Sequence, residues 1–400
     1  MPASDAVLVL NAGSSSIKFG LFEISAAEPV LLCQGLLDEH EAKPRLVVKS
    51  PAGEYLFENR REASDADSDH LFADVLGFIE ARFDDHRLRA VGHRIVHGGP
   101  DYSAPVELTE DVYAKLEALT PLAPLHQPRC LAPVRTIRAI GPTLTQIACF
   151  DTAFHHGLAP PVSRFAIPRR YEARGIRRYG FHGLSFEYVE SRLAKITPEL
   201  AAKRTVIAHL GNGASLCALR NGRSVDTTMG LTPLDGLVMG TRCGTIDPGV
   251  LLYLQQHEKM SVEAVQHLLY HESGLLGVSG ISADMRTLLA SGEASAREAI
   301  DLFTFRVAQE VAMMANTLQG LDCLVFTGGI GEHAKEIRSE IGERLTWLGV
   351  RIDPVANDAT RERISGSDSA VDIFVIPTNE ELTIARHCAA VLRTISPPAA

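Results

Sequence analysis

Residues 7–22 combine two apolar segments with one polar turn. Residues 7–10 (VLVL) are all apolar, residues 11–16 (NAGSSS) are short and mostly polar, and in residues 17–22 (IKFGLF) apolar positions recur with a period of two. This pattern predicts a strand, a tight turn and a half-buried second strand. The turn offers amide and hydroxyl side chains, and at Gly13 its backbone can approach the oxygens of a phosphate chain. An ordinary hairpin with a polar tip explains these residues equally well.

The same arrangement occurs again later in the chain. Residues 206–219 (VIAHLGNGASLCAL) contain an apolar run, a glycine-rich turn and a second alternating segment. Asn221 and Gly222 follow, a pair typical of tight hairpin turns. Two such units predict a duplicated domain whose glycine-rich turns are directed at one shared ligand.

A third glycine-rich segment, residues 327–333 (TGGIGEH), follows the apolar run 323–326. Ile337, Ile341 and Leu345 recur at helical spacing after it, so the pattern predicts a strand, a glycine turn and a helix. The N-terminus of a helix has unpaired N–H groups and a partial positive charge, which suit a nucleotide phosphate.

Strand and helix patterns alternate along the chain, which indicates the α/β class. A chain of 400 residues is too long for one ordinary core and predicts two domains of about 150 to 200 residues each. We expect the boundary near Phe150 and Asp151, after the strand-like residues 147–150. The other segments with helical spacing are residues 71–83, 109–119, 296–318 (ending before Gly320) and 381–392.

Composition narrows the function classes. The formal net charge of −10 argues against a nucleic-acid partner, which would need a basic surface. No apolar run approaches the roughly 18 residues of a membrane span, and no signal-peptide pattern precedes Val7. Seven dispersed cysteines without a CxxC pair indicate free thiols. We therefore expect a cytoplasmic enzyme that does not associate with membranes.

Three short segments place basic side chains beside glycines. Arg94 precedes Val96 and a glycine pair, so its planar guanidinium suits a carboxylate or phosphate beside a small apolar group, although a structural ion pair is an equal alternative. His182 lies between glycines after the arginine-rich residues 164–178, which on their own suggest a solvated loop. Arg242, in a glycine-rich loop, suits a phosphate clamp.

These segments together resemble the acetate kinase family, within the superfamily of acetate and sugar kinases, heat-shock chaperones and actin. The resemblance implies two actin-like (ribonuclease H-like) α/β domains with a duplicated βββαβαβα core and ATP in the cleft between them. Domain I would comprise residues 1–150 and the C-terminal helix 383–400, and the nucleotide-binding domain II would comprise residues 151–382. The motifs are NAGSSSIK (11–18), GHRIVHGG (92–99), PLAPLH (121–126), FDTAFH (150–155), RRYGFHG (177–183), HLGNGASL (209–216), MGTRCG (239–244), FTGGIGE (326–332) and IPTNEEL (376–382).

The resemblance also implies a homodimer that reversibly transfers the γ-phosphoryl group of ATP to acetate, giving acetyl phosphate and ADP by direct in-line transfer. Asn11 and Glu380 would bind Mg²⁺, with Mn²⁺ as an alternative, and Arg94 would bind the substrate carboxylate. The catalytic groups would be Asp151, His182 and Arg242. Val96, Leu125, Phe181 and Pro233 would surround the acetate methyl group. The ATP or ADP would contact Ser14, Ser16, Lys18, His209, Leu210, Gly211, Asn212, Gly213, Asp284, Met285, Arg286, Gly329, Ile330, Gly331, Glu332 and His333.

The chemistry qualifies the role of Asp151. Acetate has a pKa of about 4 and needs no general base at neutral pH. We therefore predict that Asp151 orients an arginine or a metal-bound water; a cap of the hinge turn is the structural alternative. Glu380 has an alternative too, since an acidic residue near the start of a helix favours the helix dipole.

Several positions depart from the usual family residues, and none of them is a proposed catalytic group. They leave nucleotide preference and the support of the Arg242 loop open. They are Gln127 after PLAPLH, Leu184 and Phe186 after Gly183, Thr245 in place of an acidic residue, and His333 in place of asparagine.

Three rival functions remain at this point. A propionate, butyrate or other short-chain carboxylate kinase would share every phosphate contact, and only Val96 favours the two-carbon acid, because a longer chain needs more room. A serine hydrolase would need a GxSxG elbow, which the sequence lacks. A chaperone or filament-forming ATPase would not require Arg94 and Arg242.

Overall fold

The computed structural model describes residues 4–13, 16–38, 45–60 and 68–395. They divide into two compact units. The first unit contains the described residues up to Ala153 together with those from Asn379 onward, and the second unit contains Phe154–Thr378. The chain therefore leaves the first unit once and returns to it at its C-terminal end.

The first unit contains an eight-stranded sheet. Its strand order is β5-β4-β3-β2-β1-β6-β8-β7, in which β1, β6 and β8 are parallel and β1 to β5 form an antiparallel meander. The two predicted strands are confirmed as β1 and β2. Strand β1 extends to Ala12, and residues 14–15 of the predicted turn lie outside the described residues. The second strand was expected to be half-buried, but from Phe19 to Phe22 it is buried on both faces. The strands are β1 (Ser4–Ala12), β2 (Ile17–Glu23), β3 (Val30–Asp38), β4 (Arg45–Lys49), β5 (Tyr55–Arg60), β6 (His86–Ile95), β7 (Val106–Glu107) and β8 (Thr145–Phe150).

The second unit contains a five-stranded sheet in the order β11-β10-β9-β12-β13. Its first three strands are antiparallel, and β12 and β13 are parallel to β9. Strands β3-β2-β1-β6-β8 of the first unit have the same order and directions, so the predicted duplication is confirmed. The strands are β9 (Arg204–Leu210), β10 (Ala214–Arg220), β11 (Arg223–Thr227), β12 (Cys323–Thr327) and β13 (Asp372–Val375).

Helices connect and cover the strands. In the described part of the chain none of them is both long and apolar enough to cross a lipid bilayer. Their bounds are α1 (Ser68–Arg82), α2 (Glu110–Ala118), α3 (Gln127–Ile140), α4 (Arg169–Glu172), α5 (Gly183–Ile196), α6 (Pro198–Ala201), α7 (Pro248–Gln256), α8 (Val262–His271), α9 (Gly274–Ser279), α10 (Met285–Ala290), α11 (Ala294–Leu318), α12 (Gly328–His333), α13 (Lys335–Arg344), α14 (Pro354–Asp358) and α15 (Glu380–Ile395).

The four segments with helical spacing form α1, α2, α11 and α15, with limits that differ by a few residues. Local capping explains two of the limits. Thr109 accepts a hydrogen bond from the Val112 N–H and starts α2. Gln319 and Gly320 adopt positive φ angles after α11, and the Gly320 N–H donates to the Ala315 carbonyl.

The glycine-rich residues 327–333 differ from the prediction of a turn. Thr327 is the last residue of β12, and residues 328–333 form the short helix α12 directly after it. Gly328 begins this helix with a positive φ of 76°, and its N–H donates to the Glu332 carboxylate at 2.9 Å.

Helix α15 packs against the sheet of the first unit at very short range. A Cβ atom at Gly92 in β6 would lie 2.4 Å from Sγ of Cys388 and 2.7 Å from Cγ2 of Ile384. Real side-chain contacts are not this short, so only glycine allows helix and strand to approach this closely. This packing fixes α15, and with it the glutamates in its first turn, at the edge of the sheet.

Candidate active site

The carboxyl ends of β1, β6 and β8 bring Arg94 and Asp151 together. Arg94 is the penultimate residue of β6, and Asp151 directly follows β8; parallel neighbouring strands end at the same edge of a sheet. Nη2 and Nε of Arg94 donate to Oδ2 of Asp151 at 2.6 and 3.0 Å, and Nη1 donates to the Ala12 carbonyl at 2.9 Å. The guanidinium thus connects the ends of all three strands.

Burial dominates the electrostatics of this pair. Asp151 is 1% exposed, and burial raises its pKa to about 6, although Arg94 acts in the opposite direction and Glu380 raises it further. Burial alone would lower the pKa of Arg94, but Asp151 and Glu380 raise it above its ordinary value. Arg94 is therefore charged throughout the working pH range, and Asp151 becomes neutral below about pH 6. Oδ1 of Asp151 is buried and has no hydrogen-bond partner within the described residues.

Asn11 meets the first turn of α15. Its amide nitrogen donates to Oε2 of Glu380 and to Oε1 of Glu381, both at 3.0 Å. Carboxylate and amide oxygens are the donors that Mg²⁺ prefers, so this set fits the metal. The described residues contain no cluster of three or more His, Cys, Asp or Glu arranged for a metal ion. A bound Mg²⁺ would accordingly rely on few protein oxygens and keep several waters.

Lys18 lies opposite Asn11 in the β1–β2 pair and has an exposed side chain. It lines an open cavity of about 470 Å³ in the first unit together with Asn379 and Glu381. In the turn between the two strands, the Ser16 carbonyl accepts a hydrogen bond from the Gly13 N–H at 2.9 Å. Ser14 lies outside the described residues.

Val96 and Leu125 are the candidate groups for an acyl substituent in the first unit. Val96 is buried two residues beyond Arg94, and Leu125 is half-buried just before α3. Gln127 supports this segment: its Oε1 accepts from the His97 N–H at 3.2 Å, and its Nε2 donates to the carbonyls of His97 and Leu116. The sequence identified Gln127 only as a departure from the family pattern.

His182 adopts a left-handed conformation immediately before α5, at a φ of 56°. Its Nδ1 is 2.9 Å from Oγ of Ser215, and its ring stacks on that of His209 with centroids 4.4 Å apart. His209 in turn is hydrogen-bonded through Nδ1 to Oγ of Ser185 at 2.8 Å. The ring of His182 is thus held on one side by a hydroxyl and on one face by a second imidazole.

Two glycine-rich loops of the second unit meet beside His182. A Cβ atom at Gly213 would lie 3.3 Å from Nε2 of His182 and 3.8 Å from Nη1 of Arg242, so glycine lets both side chains approach the backbone. The Gly240 N–H donates to the Asn212 carbonyl at 3.0 Å and joins the loops. Nη1 of Arg242 also donates to the carbonyl of Pro233 at 3.1 Å.

A cavity of about 550 Å³ in the second unit is lined by part of the residues expected around the nucleotide. At its rim Asp284 caps α10 and pairs with Arg286, whose hydrogen bonds lower the pKa of Asp284 to about 2. The predicted residues that line the cavity are Gly211, Asn212, Asp284, Met285, Arg286, Gly329, Ile330 and His333.

Five predicted nucleotide residues of the second unit do not line this cavity. Leu210 is buried in β9, and His209 forms the stack with His182. Glu332 accepts hydrogen bonds from the N–H groups of Gly328 and Thr378. The Gly331 carbonyl accepts from Arg338, and Gly213 lies beside His182 and Arg242.

Four supporting residues were not predicted from the sequence. Glu381 shares Asn11 with Glu380, and Ser215 and Ser185 hold the two stacked imidazoles. Arg338 is fully buried and donates to the carbonyls of Gly331 and Glu332 at the end of α12. Glu381 and Ser215 lie inside quoted motifs, which was the available signal; Arg338 had none, since surface and buried arginines look alike in a sequence.

A family model and a curated relative both match this chain over nearly its whole length. A model of the acetokinase family matches residues 6–386. The chain is 51% identical over 390 residues to an acetate kinase of Rhodopseudomonas palustris, covering 96% of this chain and 98% of the relative.

Two solved structures are similar to this chain over nearly its whole length. A propionate kinase of Francisella tularensis has a TM-score of 0.89 at 39% identity, covering 96% of this chain and 98% of the other. An acetate kinase of Porphyromonas gingivalis has a TM-score of 0.85 at 35% identity, with 97% and 100% covered. The predicted actin-like α/β fold with two duplicated units is therefore confirmed.

The Asp151 carboxyl provides a direct test of this electrostatic arrangement. In a ¹³C NMR titration we expect its signal to change with a midpoint of about pH 6. Glu380→Gln removes a negative charge that raises the pKa of Asp151, so the midpoint moves to lower pH. Glu381→Gln is the matched control and moves it less. A midpoint that is the same in the Glu380→Gln variant and the unsubstituted protein would contradict the arrangement.

Proposed function

The chain belongs to the acetokinase family, and we propose that it transfers the γ-phosphoryl group of ATP to acetate, giving acetyl phosphate and ADP. The observation that carries this proposal is the partly buried Arg94, oriented by Asp151 two residues before the buried, apolar Val96. A fixed guanidinium next to a small apolar side chain suits a short carboxylic acid better than a sugar or a polypeptide.

Arg94 has donors left for the substrate. A guanidinium carries five N–H donors, and three are used for Asp151 and the Ala12 carbonyl. The remaining donors would bind the acetate carboxylate. Asp151 keeps the guanidinium in place, and no proton needs to be removed, because acetate is already ionised at neutral pH. Val96 and Leu125, with Phe181 and Pro233, would contact the methyl group.

The second unit would bind the nucleotide and stabilise the transferring phosphoryl group. Phosphoryl transfer depends on positioning and charge neutralisation more than on covalent catalysis, which supports direct in-line transfer. His182 and Arg242, both near Gly213, are the groups suited to the equatorial phosphoryl oxygens. ATP or ADP would occupy the 550 Å³ cavity between α10 and α12.

Mg²⁺ would be bound by Asn11 and Glu380, with Mn²⁺ as the alternative metal, and Lys18 would contact the phosphates. The metal, when bound, neutralises phosphate charge. Glu381 shares the Asn11 amide with Glu380 and would keep that side chain in reach of the metal. Ser16 belongs to the turn that would surround the phosphates, as the family resemblance implies.

We also propose a cytoplasmic homodimer that needs neither nucleic acid nor membrane. The described cysteines are free thiols, which suits a reducing compartment. Leu252, Tyr253 and Val262 on helices α7 and α8 are more than half exposed, and this apolar surface suits a second copy of the chain.

Sedimentation equilibrium is expected to give twice the chain mass of 43.3 kDa; a mass of one chain would contradict the dimer.

The proposed reaction is tested by trapping acyl phosphate as hydroxamate. With ATP and Mg²⁺ we expect product from acetate in preference to propionate and butyrate, because Val96 limits the space for the acyl chain. Chelation of the metal is expected to abolish product formation. A folded, ATP-binding protein that forms no acyl phosphate from any acid would disprove the kinase, whereas a preference for propionate would disprove only the pocket argument.

Arg242→Ala separates catalysis from nucleotide binding. If Arg242 stabilises the phosphoryl group during transfer, kcat falls by about 10²- to 10³-fold while the Kd for ATP changes little. Arg220→Ala is the control, since Arg220 donates to the Leu318 carbonyl at the end of α11 and is expected to keep normal activity. Equal losses in kcat and ATP affinity would assign Arg242 a structural role instead.

A further inference from the structure

His155 is a buried imidazole that none of the roles above includes. It lies in the core of the second unit with 1% of its surface exposed. Both ring nitrogens have hydrogen-bond partners: Nδ1 is 2.8 Å from Oγ of Ser224, and Nε2 is 3.0 Å from the carbonyl oxygen of Phe181. The ring therefore joins β11 to the residue that precedes His182.

The partners of His155 determine its tautomer. The Phe181 carbonyl can only accept a hydrogen bond, so Nε2 must carry the proton. Nδ1 is then an acceptor; the Ser224 hydroxyl, at 2.8 Å, is its close donor, and the Cys217 thiol is a more distant one at 3.9 Å. The Ser224 oxygen can in turn accept from the thiol of Cys217, whose Sγ is 3.4 Å away. Burial lowers the pKa of His155 to about 4, so the ring is neutral at neutral pH and is held in one orientation.

His155 also packs directly against the backbone that leads to His182. A Cβ atom at Gly180 would lie 2.7 Å from the His155 ring, so only glycine fits there. Gly180 and His182 both have positive φ angles, of 78° and 56°. A non-glycine residue keeps such a conformation only where its surroundings enforce it. His155 contacts this segment through both a hydrogen bond and its ring face.

We propose that His155 is a positioning residue for phosphoryl transfer: it fixes residues 180–182 so that the His182 ring stays beside Gly213 and Arg242. Ser224 fixes the tautomer that makes the hydrogen bond to Phe181. This role rests on the proposed kinase function, because His155 acts only through His182. It differs from core packing, since packing would require the shape of the ring but not its proton on Nε2.

Three substitutions distinguish the positioning role of His155 from a role in core packing. His155→Phe keeps a ring and removes both hydrogen bonds, and kcat is expected to fall about ten- to hundredfold with little change in the KM for ATP. His155→Gln retains an amide N–H that can reach the Phe181 carbonyl, so it is expected to recover much of the loss. Phe186→Leu is the packing control: Phe186 lies against the His155 ring with centroids 5.5 Å apart, and its loss lowers Tm but leaves kcat nearly unchanged.

A double-mutant cycle with His182→Ala gives the decisive measurement. If His155 acts through His182, adding His155→Phe to His182→Ala causes almost no further loss of kcat. The inference is wrong if the two losses multiply, or if His155→Phe lowers Tm without lowering kcat. Absence of activity in the unsubstituted protein would instead refute the kinase function itself.

The Ser224→Ala variant provides a second test of the positioning role if the His155→Phe variant does not fold. It leaves the imidazole in place but removes the donor to Nδ1, so kcat is expected to fall severalfold, again without a further loss in the His182→Ala background. A normal kcat in the Ser224→Ala variant would overturn the proposed role of the tautomer.

Discussion

The ion pair between Arg94 and Asp151 is the constraint on which the site in the first unit depends. Burial removes favourable hydration from both charges, and only a close partner with further hydrogen bonds offsets the loss. Here the partners are 2.6 Å apart, and the Ala12 carbonyl accepts from the same guanidinium. The pair therefore requires the ends of β1, β6 and β8 to lie together. It also fixes the orientation of the Arg94 N–H donors that Asp151 and Ala12 do not use.

The duplicated topology explains why polar residues gather at corresponding places in the two units. In each sheet a strand that is central in the order pairs with the antiparallel strand that comes next in the chain: β1 with β2, and β9 with β10 after residues 211–213. The parallel strands beside them end at the same edge, where Arg94 and Asp151 lie in the first unit and α12 begins in the second. The two sheet edges have the same strand arrangement but different side chains. The edge in the first unit carries the Arg94–Asp151 pair, and the edge in the second unit carries glycines, hydroxyls and imidazoles.

Local patterns predicted the parts of the fold that depend on neighbouring residues. The apolar runs and the alternation in residues 7–22 and 206–219 were sufficient for two hairpins, although β2 and β10 are buried on both faces over most of their length. Contacts between distant segments were not predictable in this way. The hydrogen bond from Asn11 to Glu380 joins residues 369 positions apart, and only the resemblance suggested that they share a site. Residues 328–333 were predicted as a glycine turn but form helix α12, because the helix preference that each glycine loses, about 1 kcal/mol, does not exclude a helix inside a packed unit.

The two units position their functional side chains by different physical means. Arg94 projects from a regular strand whose hydrogen bonds to β1 and β8 already fix its backbone. His182 instead has a left-handed backbone, which costs about 1–3 kcal/mol for a residue other than glycine. Contacts from outside the segment must supply that energy, and the hydrogen bonds of Ser215 and His155 are placed to do so. The position of the imidazole therefore depends on hydrogen bonds from buried residues, whereas the position of the guanidinium depends mainly on the sheet.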